Sequence, residues 1–281
     1  MSVPVSVLVP TLDEELNLPD CLRSVSGWAD EVFVVDSFSH DRTVPIAREF
    51  GAEVVQHVFE SYSRQKNWAL DTLPFRNEWV LILDADERLT PELRCEMARA
   101  IGSDAFDGYY LNRRVIFLGS WIRHAGWYPS WNLRLFRQRL GRYDDREVHE
   151  HLVLDGRVGY LTADLLHADQ RGFEAFIARH NRYSSLEARA RLKAERNAPD
   201  RARLPVSLLA SPVQRKRFLR ERVWPTLPLK PLVLFLYMYV LRQGFLDGRA
   251  GLILCVFHAF QEFMVGVKLA ELRRLSSSSD S

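Results

Sequence analysis

Short apolar runs that stop at a polar residue recur through the first hundred positions. Val5 to Val9 ends at Pro10, Glu31 to Val35 ends at Asp36, Glu53 to His57 is a third extended run, and Trp79 to Leu83 runs into Asp84. Between these runs the apolar positions switch to helical spacing. "NLPDCLRSV" sets Leu18, Cys21, Leu22 and Val25 on one face, with Pro19 near its start. "DRTVPIAREFG" is a second helix that Gly51 is placed to end. A third opens with Thr90 as N-cap and Pro91 as its first residue, and buries Leu93, Met97 and Ile101. Strands alternating with helices predict right-handed crossovers and an α/β fold, its parallel sheet covered on both faces.

The pattern changes at Gly108. As far as about Leu154, extended segments ("GYYLNRRVIFLG", "WNLRLFR") flank an aromatic loop, "SWIRHAGWYPSW", which predicts a mixed extension of the same sheet. Residues 173–197 read as helix, two apolar stretches follow at Pro231 to Leu241 and Gly251 to Val267, and "SSSSDS" closes the chain as a tail expected to fray. The expected division is a domain over 1–170 in two halves (1–105 and 106–170), a helical extension over 171–275, and a disordered tail over 276–281.

Composition excludes some classes. With 281 residues, 47% apolar and 26% charged, the chain is neither disordered nor fibrous. The net charge of +2 conceals an uneven distribution: thirteen basic residues stand against four acids between Arg179 and Arg222. No nucleic-acid motif accompanies that excess, so no nucleic-acid partner is expected. Followed by apolar segments, it fits an anionic membrane surface. Pro231 to Leu241 has 11 residues, whereas a bilayer crossing needs roughly 20. Gly251 to Val267 contains His258, Gln261 and Glu262. Interfacial helices are therefore expected rather than spans, with buried core helices as the alternative. Cys21, Cys95 and Cys255 have no CxxC spacing and read as small core residues of a reducing compartment. The opening "MSVPVSVLVP" lacks a basic leader segment and reads as a mature start.

In a parallel sheet, ligands bind beyond the carboxyl ends of the strands. Here those ends read "PTLDEE", "DSFSHD" and "DADE". Asp84 and Asp86, at i and i+2, present oxygens to a hard cation such as Mg²⁺ or Mn²⁺, whose shell water and substrate phosphates complete; a solvated loop is the bland alternative. Asp36 is placed to reach a ribose hydroxyl or a base edge. Ser37, Ser39 and Asp41 are further contacts or helix caps. "SRQKNWAL" sets Arg64 and Lys66 before another helix, where they either neutralise a diphosphate or begin a solvated helix.

These motifs carry a family resemblance. "VSVLVPTLDEELNLPDCLRSV", "ADEVFVVDSFSHDRT", "RQKNWALD" and "WVLILDADERL" resemble the ordered N-terminal motifs of glycosyltransferase family 2, which has the GT-A fold. "RHAGWYPSWNLRLFR", "DDREVHEHLVLDG", "LLHADQ", "NRYSSLEA" and "LRQGFLDGRAGL" are similar to the subgroup of lipopolysaccharide core-biosynthesis β-1,4-glucosyltransferases. The resemblance implies a Rossmann-like nucleotide-sugar half over 1–105 and an acceptor half over 106–170. It implies an inverting, metal-dependent hexosyltransferase that moves glucose from a nucleotide-diphosphate sugar to a lipid-linked glycan acceptor such as lipopolysaccharide core. Such an enzyme is peripheral on the cytoplasmic face of a bacterial inner membrane. Donor contacts then fall to Pro10, Thr11, Asp13, Glu14, Asp36, Ser37, Asp41, Lys66 and Asp84. Metal contacts fall to Asp84, Asp86 and His167, the last at a position where GT-A enzymes often place a histidine; a packed structural histidine is the alternative. Phe38 and Arg42 stand where the family commonly has Gly.

Inversion needs a general base near the acceptor hydroxyl. Glu150, in "VHE", is the candidate that the resemblance singles out, and Asp145 is the second; a cap or surface ion pair is the alternative for each. Arg123, Trp127, Tyr128 and Trp131 suit a sugar ring and an acidic acceptor, or form a lid packed on the core. Two other readings stay open: transfer to a polyprenyl-linked or exopolysaccharide acceptor, and an inactive nucleotide-sugar-binding module at a membrane.

Overall fold

Strand β1 (Val3–Thr11) is paired on both sides, and its alternation explains the two layers around it. Val5, Val7 and Val9 point to one face, where α1 (Leu18–Val25) and, later in the chain, α4 (Pro91–Ile101) bury Leu22, Val25, Leu93 and Met97 against them. Leu8 points to the other face, against Ala69 and Leu70 of α3 (Tyr62–Thr72). A strand buried on both faces has no polar side, which is why its apolar run is nearly continuous. Ser6, fully buried, is the exception, and its hydroxyl donates to Glu31.

The computed structural model describes residues 2–144, 152–196 and 229–279. They fall into two compact units, Met1–Gly172 and Phe173–Ser281. In the first unit, β2 (Ala29–Asp36), α2 (Thr43–Glu49), β3 (Glu53–Gln56) and β4 (Trp79–Ile82) complete a parallel half-sheet. The mixed half contains β5 (Glu87–Leu89), β6 (Gly108–Phe117), β7 (Ser120–Trp121) and β8 (Trp131–Arg137). After a small antiparallel pair, β9 (Gly141–Tyr143) with β10 (Leu152–Leu154), comes β11 (Val158–His167). The sheet order is β3-β2-β1-β4-β8-β6-β11-β5, with β7 on β6. β8 lies antiparallel to β4, and β11 runs parallel to β6 and antiparallel to β5. The mixed α/β sheet expected from the sequence is therefore present. Thr90 caps α4 as expected, its hydroxyl accepting from Leu93 N–H at 3.2 Å.

Three local expectations are corrected. Arg64 and Lys66 lie inside α3, because Ser61 is the residue that caps it and accepts from Arg64 N–H at 3.3 Å. Cys95 is exposed, on the outward face of α4, while Cys21 and Cys255 are buried. The last helix reaches Ser279, into the tail expected to fray, with the Ser276 hydroxyl donating to Arg273 O at 2.9 Å.

The second unit consists of α5 (Gly172–Arg196), α6 (Lys230–Leu236) and α7 (Gly248–Ser279). A π-helical turn, Tyr237–Leu241, and a 3₁₀ turn, Gly244–Asp247, join the last two. The stretch Gly244–Ser276 is long and apolar enough to cross a membrane by length and composition.

Candidate active site

At the carboxyl edge of the parallel strands, two loops are laced together. β1 and β2 end level with one another, Thr11 opposite Asp36. Asp36 is fully buried and accepts from Thr11 Oγ1 at 3.2 Å, Ser39 N–H at 3.0 Å and Gln56 Nε2 at 3.1 Å, and from the Ser39 hydroxyl. Asp13 N–H donates to Ser39 Oγ at 2.9 Å, and His40 N–H returns a bond to Asp13 Oδ1 at 2.7 Å. Glu14 N–H donates to Thr43 Oγ1 and Glu15 N–H to Asp41 Oδ2, at 2.7 and 3.0 Å. Asp41 also accepts from Thr43 N–H at 2.9 Å, so it serves both as a cap for α2 and as a tether for the first loop. Ser37 Oγ accepts from Gln65 Nε2 at 2.7 Å. Phe38 holds a left-handed backbone, φ 62°, the conformation that favours Gly, the residue that the resemblance noted above leads one to expect there.

Beyond β4 the acids meet their cations. Arg134 of β8 donates through one guanidinium nitrogen to Asp84 Oδ2 and to Glu87 Oε1, the latter at 2.8 Å. Glu87 is fully buried, accepts from Asp84 N–H at 3.0 Å and lies 3.7 Å from Arg113. Lys66 Nζ, buried in α3, is 3.7 Å from Asp84 Oδ1 and 5.0 Å from the centre of the Tyr143 ring. Burial works to raise the Asp84 carboxyl. Arg134, then Lys66 and Arg113, outweigh it and hold the group well below the usual carboxylate range. Asp84 therefore stays ionised.

Asp86 faces a different partner. Its Oδ1 is 3.3 Å from His167 Nδ1, and that nitrogen is buried with no hydrogen-bond partner. The register of β11 on β5, His167 opposite Glu87, brings the ring to the turn, and Ala168 N–H donates to Asp86 O at 2.9 Å. A carboxylate oxygen and an imidazole nitrogen 3.3 Å apart, the nitrogen with no hydrogen-bond partner, suit a divalent cation. Among the described residues no set of three or more His, Cys, Asp or Glu is gathered for a metal. A cation held here would take one carboxylate and one imidazole, leaving positions for water and phosphate oxygens, as Mg²⁺ and Mn²⁺ prefer. The residues fit the group.

Glu14 closes the site from the side. Its carboxylate accepts from Arg171 at 2.8 Å and from Asn17 Nδ2 at 2.8 Å, and Asn17 also donates to Asp169 at 3.1 Å. Burial raises the Glu14 carboxyl to about 7, against the lowering pull of Arg171 and Asn17 and with a further push from Asp86 and Asp169.

The aromatic loop divides. Tyr128 donates to Asp164 at 3.1 Å and meets Trp121 edge-on, while Asp164 also accepts from Asn112 at 2.9 Å and Arg114 at 3.0 Å. Arg114 and Arg123 both lie over the Trp121 ring, at 4.5 and 4.1 Å. Trp127 N–H donates to His124 O at 3.0 Å. Trp131 packs against Tyr160 instead, which stacks on Tyr110.

Thus Pro10, Thr11, Asp13, Glu14, Asp36, Ser37 and Asp41 share one loop cluster, and Lys66, Asp84, Asp86 and His167 gather beside β4. Trp131 stands with other aromatic residues than Tyr128. Glu150 and Asp145 lie outside the described residues. Sequence reasoning missed Arg134, Glu87, Asn17, Asp169 and Arg171. A basic residue inside "WNLRLFR", with acids in need of a cation after β4, was the available signal for Arg134.

Known proteins share this chain's sequence and fold to different extents. LpsC of Rhizobium meliloti (strain 1021), a lipopolysaccharide core biosynthesis glycosyltransferase, is 32% identical over 194 residues, 66% of this chain and 71% of the relative. A glycosyltransferase of Rickettsia bellii (strain RML369-C) is 28% identical over 284 residues, 97% of this chain and 87% of its own. The crystal structure of S. aureus TarS 1–349 in complex with UDP-GlcNAc matches with a TM-score of 0.49 at 15% identity, covering 95% of this chain and 92% of that one. The Glycosyl transferase family 2 profile matches residues 6–152. With its acidic strand ends on a parallel half-sheet that a mixed half extends, the chain has the GT-A architecture and belongs to glycosyltransferase family 2.

Proposed function

We propose that the protein is an inverting, metal-dependent hexosyltransferase, moving glucose from a nucleotide-diphosphate sugar to a lipid-linked acceptor such as lipopolysaccharide core. The observation that carries this reading is the Asp86–His167 pair beside ionised Asp84 and buried Lys66 at the strand edge. LpsC, a relative in lipopolysaccharide core biosynthesis, supports the acceptor class. The apolar helix Gly244–Ser276 supports a place at the membrane, for which the cytoplasmic face of a bacterial inner membrane is the setting.

In this mechanism Asp86 and His167 would hold Mg²⁺ or Mn²⁺, with Asp84 beside it, and a bound ion would supply charge neutralisation for the leaving diphosphate. The laced loops carrying Thr11, Asp13, Asp36, Ser37 and Asp41 form the nucleoside side of the pocket. Lys66 offers a fixed positive charge toward the diphosphate. Arg123, Trp127, Tyr128 and Trp131 receive the sugar and acceptor. Glu150 accepts the proton of the acceptor hydroxyl as its oxygen bonds the anomeric carbon from the face opposite the departing diphosphate, with Asp145 as second candidate.

The test is calorimetric titration of the intact protein with a panel of nucleotide sugars, with and without Mn²⁺, followed by turnover with a lipid-linked acceptor. Metal-dependent binding of one donor, with slow hydrolysis of that donor in the absence of acceptor, is expected. Binding without any hydrolysis or transfer identifies an inactive nucleotide-sugar module instead.

A further inference from the structure

Helix α7 wears its polarity inside out. Its charged and packed positions face α5. Arg191 grips Glu262 through two hydrogen bonds of 2.7 and 3.0 Å, and Lys268 Nζ lies 2.7–2.8 Å from Asn181, Ser184 and Ser185 oxygens. Val265 and Leu269 pack with Ala188 between those polar contacts. The opposite stripe, Leu252, Val256, Phe260, Phe263 and Val267, is apolar throughout, and each member is between 39% and 53% exposed. Leu232 and Phe235 of α6 border Phe260 and Phe263 along an apolar groove, and Leu236 and Val240 extend the exposed surface. A patch of this kind is covered in the working protein.

Charge chooses the cover. At the helical spacing of the stripe, exposed Arg249 stands before Leu252 and exposed Arg274 beyond Val267, against one acid on that side, Glu271, and exposed Arg242 lies in the turn between α6 and α7. A second copy of the chain would bring the same positive charge to the contact, whereas an anionic bilayer brings the complement. Geometry chooses the mode. If α7 crossed the membrane, α5 and its arginines would enter the hydrocarbon with it, at a cost of several kcal/mol for each unpaired charge. We propose that the α7 stripe, with the adjoining face of α6, is an in-plane insertion surface that enters one leaflet of an anionic membrane and does not cross it. The inference rests on the membrane-side reading above and names the surface and the topology.

The experiment uses the full chain. Binding to phosphatidylethanolamine–phosphatidylglycerol vesicles is measured against phosphatidylcholine vesicles over a salt series, for the wild type and for Phe260→Glu/Phe263→Glu. In parallel, Ser281→Cys in a Cys95→Ser background is treated with an impermeant maleimide in inverted inner-membrane vesicles from producing cells. Expected are salt-sensitive binding to the anionic vesicles, a loss of about tenfold or more in the double variant, and full maleimide labelling at position 281 without detergent. Donor hydrolysis in solution should match the wild type, so a failed membrane result stands apart from a failed catalytic one. Equal vesicle binding by the double variant, or its conversion from dimer to monomer in sedimentation with vesicle binding intact, overturns the proposal; the second result makes the stripe a contact between copies. Labelling that requires detergent also overturns it, by making α7 a span.

Discussion

Arg134 joins Asp84 to Glu87 through a single guanidinium nitrogen, so one cation on β8 serves two acids on either side of the turn after β4. Removing it leaves Glu87, which has no exposed surface, to share a single more distant arginine. Arg134→Met should therefore destabilise the protein by about 3–5 kcal/mol, the range for breaking a buried ion pair. Arg134→Met/Glu87→Gln should recover part of that loss. Urea denaturation of the four proteins of the cycle measures it, and independent effects would show that the pair is not coupled.

Asp86 and His167 predict a metal phenotype separable from stability. His167→Ala removes an imidazole nitrogen that has no hydrogen-bond partner, so the fold should lose little. Mn²⁺ affinity, read from the electron paramagnetic resonance signal of free Mn²⁺, should fall by about 10- to 100-fold. Unchanged Mn²⁺ binding in both His167→Ala and Asp86→Asn would remove the pair from the metal site.

Phe38 predicts a gain. Its φ of 62° is left-handed, and its side chain is 47% exposed. A left-handed non-glycine residue costs about 1–2 kcal/mol, partly offset by the greater freedom of Gly in the unfolded chain. Phe38→Gly should raise stability by about 0.5–1 kcal/mol, seen as a higher Tm. A lower Tm would mean that the ring makes contacts worth more than the backbone relief.

Glu14 predicts a pH dependence. Its carboxyl is raised from the ordinary 4.5 to about 7, so the folded state holds the proton more tightly than the unfolded chain. Its contribution therefore becomes less favourable as pH rises between those values, because the unfolded state ionises first. Glu14→Gln, which keeps an acceptor for Arg171, should gain stability relative to the wild type at pH 8 compared with pH 5. Parallel Tm-against-pH curves for the two proteins would contradict this.

The proposed base predicts a rate effect without a binding effect. Glu150→Gln should lower kcat by about 10²- to 10⁴-fold while donor affinity stays constant. Asp145→Asn should leave kcat near the wild-type value; the opposite pattern reverses the assignment.

The parallel half of the fold was legible because each apolar run stops at a polar residue and each helix between runs carries its own punctuation, such as Thr90 with Pro91. The motif around His167 points to the strand edge, and the structure sets the ring beside Asp86. Arg134 was not legible, since Leu133-Arg134-Leu135 reads as ordinary alternation with the charge turned to water. Only the antiparallel register of β8 on β4, Leu135 opposite Leu81, turns that position toward the acids. Asn17 and Asp169 are 152 residues apart, and local pattern carries no information about a meeting at that range. "SRQKNWAL" gives no sign that the cap is Ser61, so the sequence does not show that Lys66 lies inside α3.

The bridge from Arg134 also bears on how the domain comes into being. The turn bearing Asp84 and Glu87 leaves the ribosome about fifty residues before the cation that neutralises it. Until β8 docks, the growing chain has Lys66 for Asp84 but lacks the guanidinium that joins Asp84 to Glu87. The turn after β4 thus receives its bridging cation only through a contact that closes a loop of about fifty residues. An exchange of residues 1–105 alone for those of a relative would separate these acids from the arginine that bridges them.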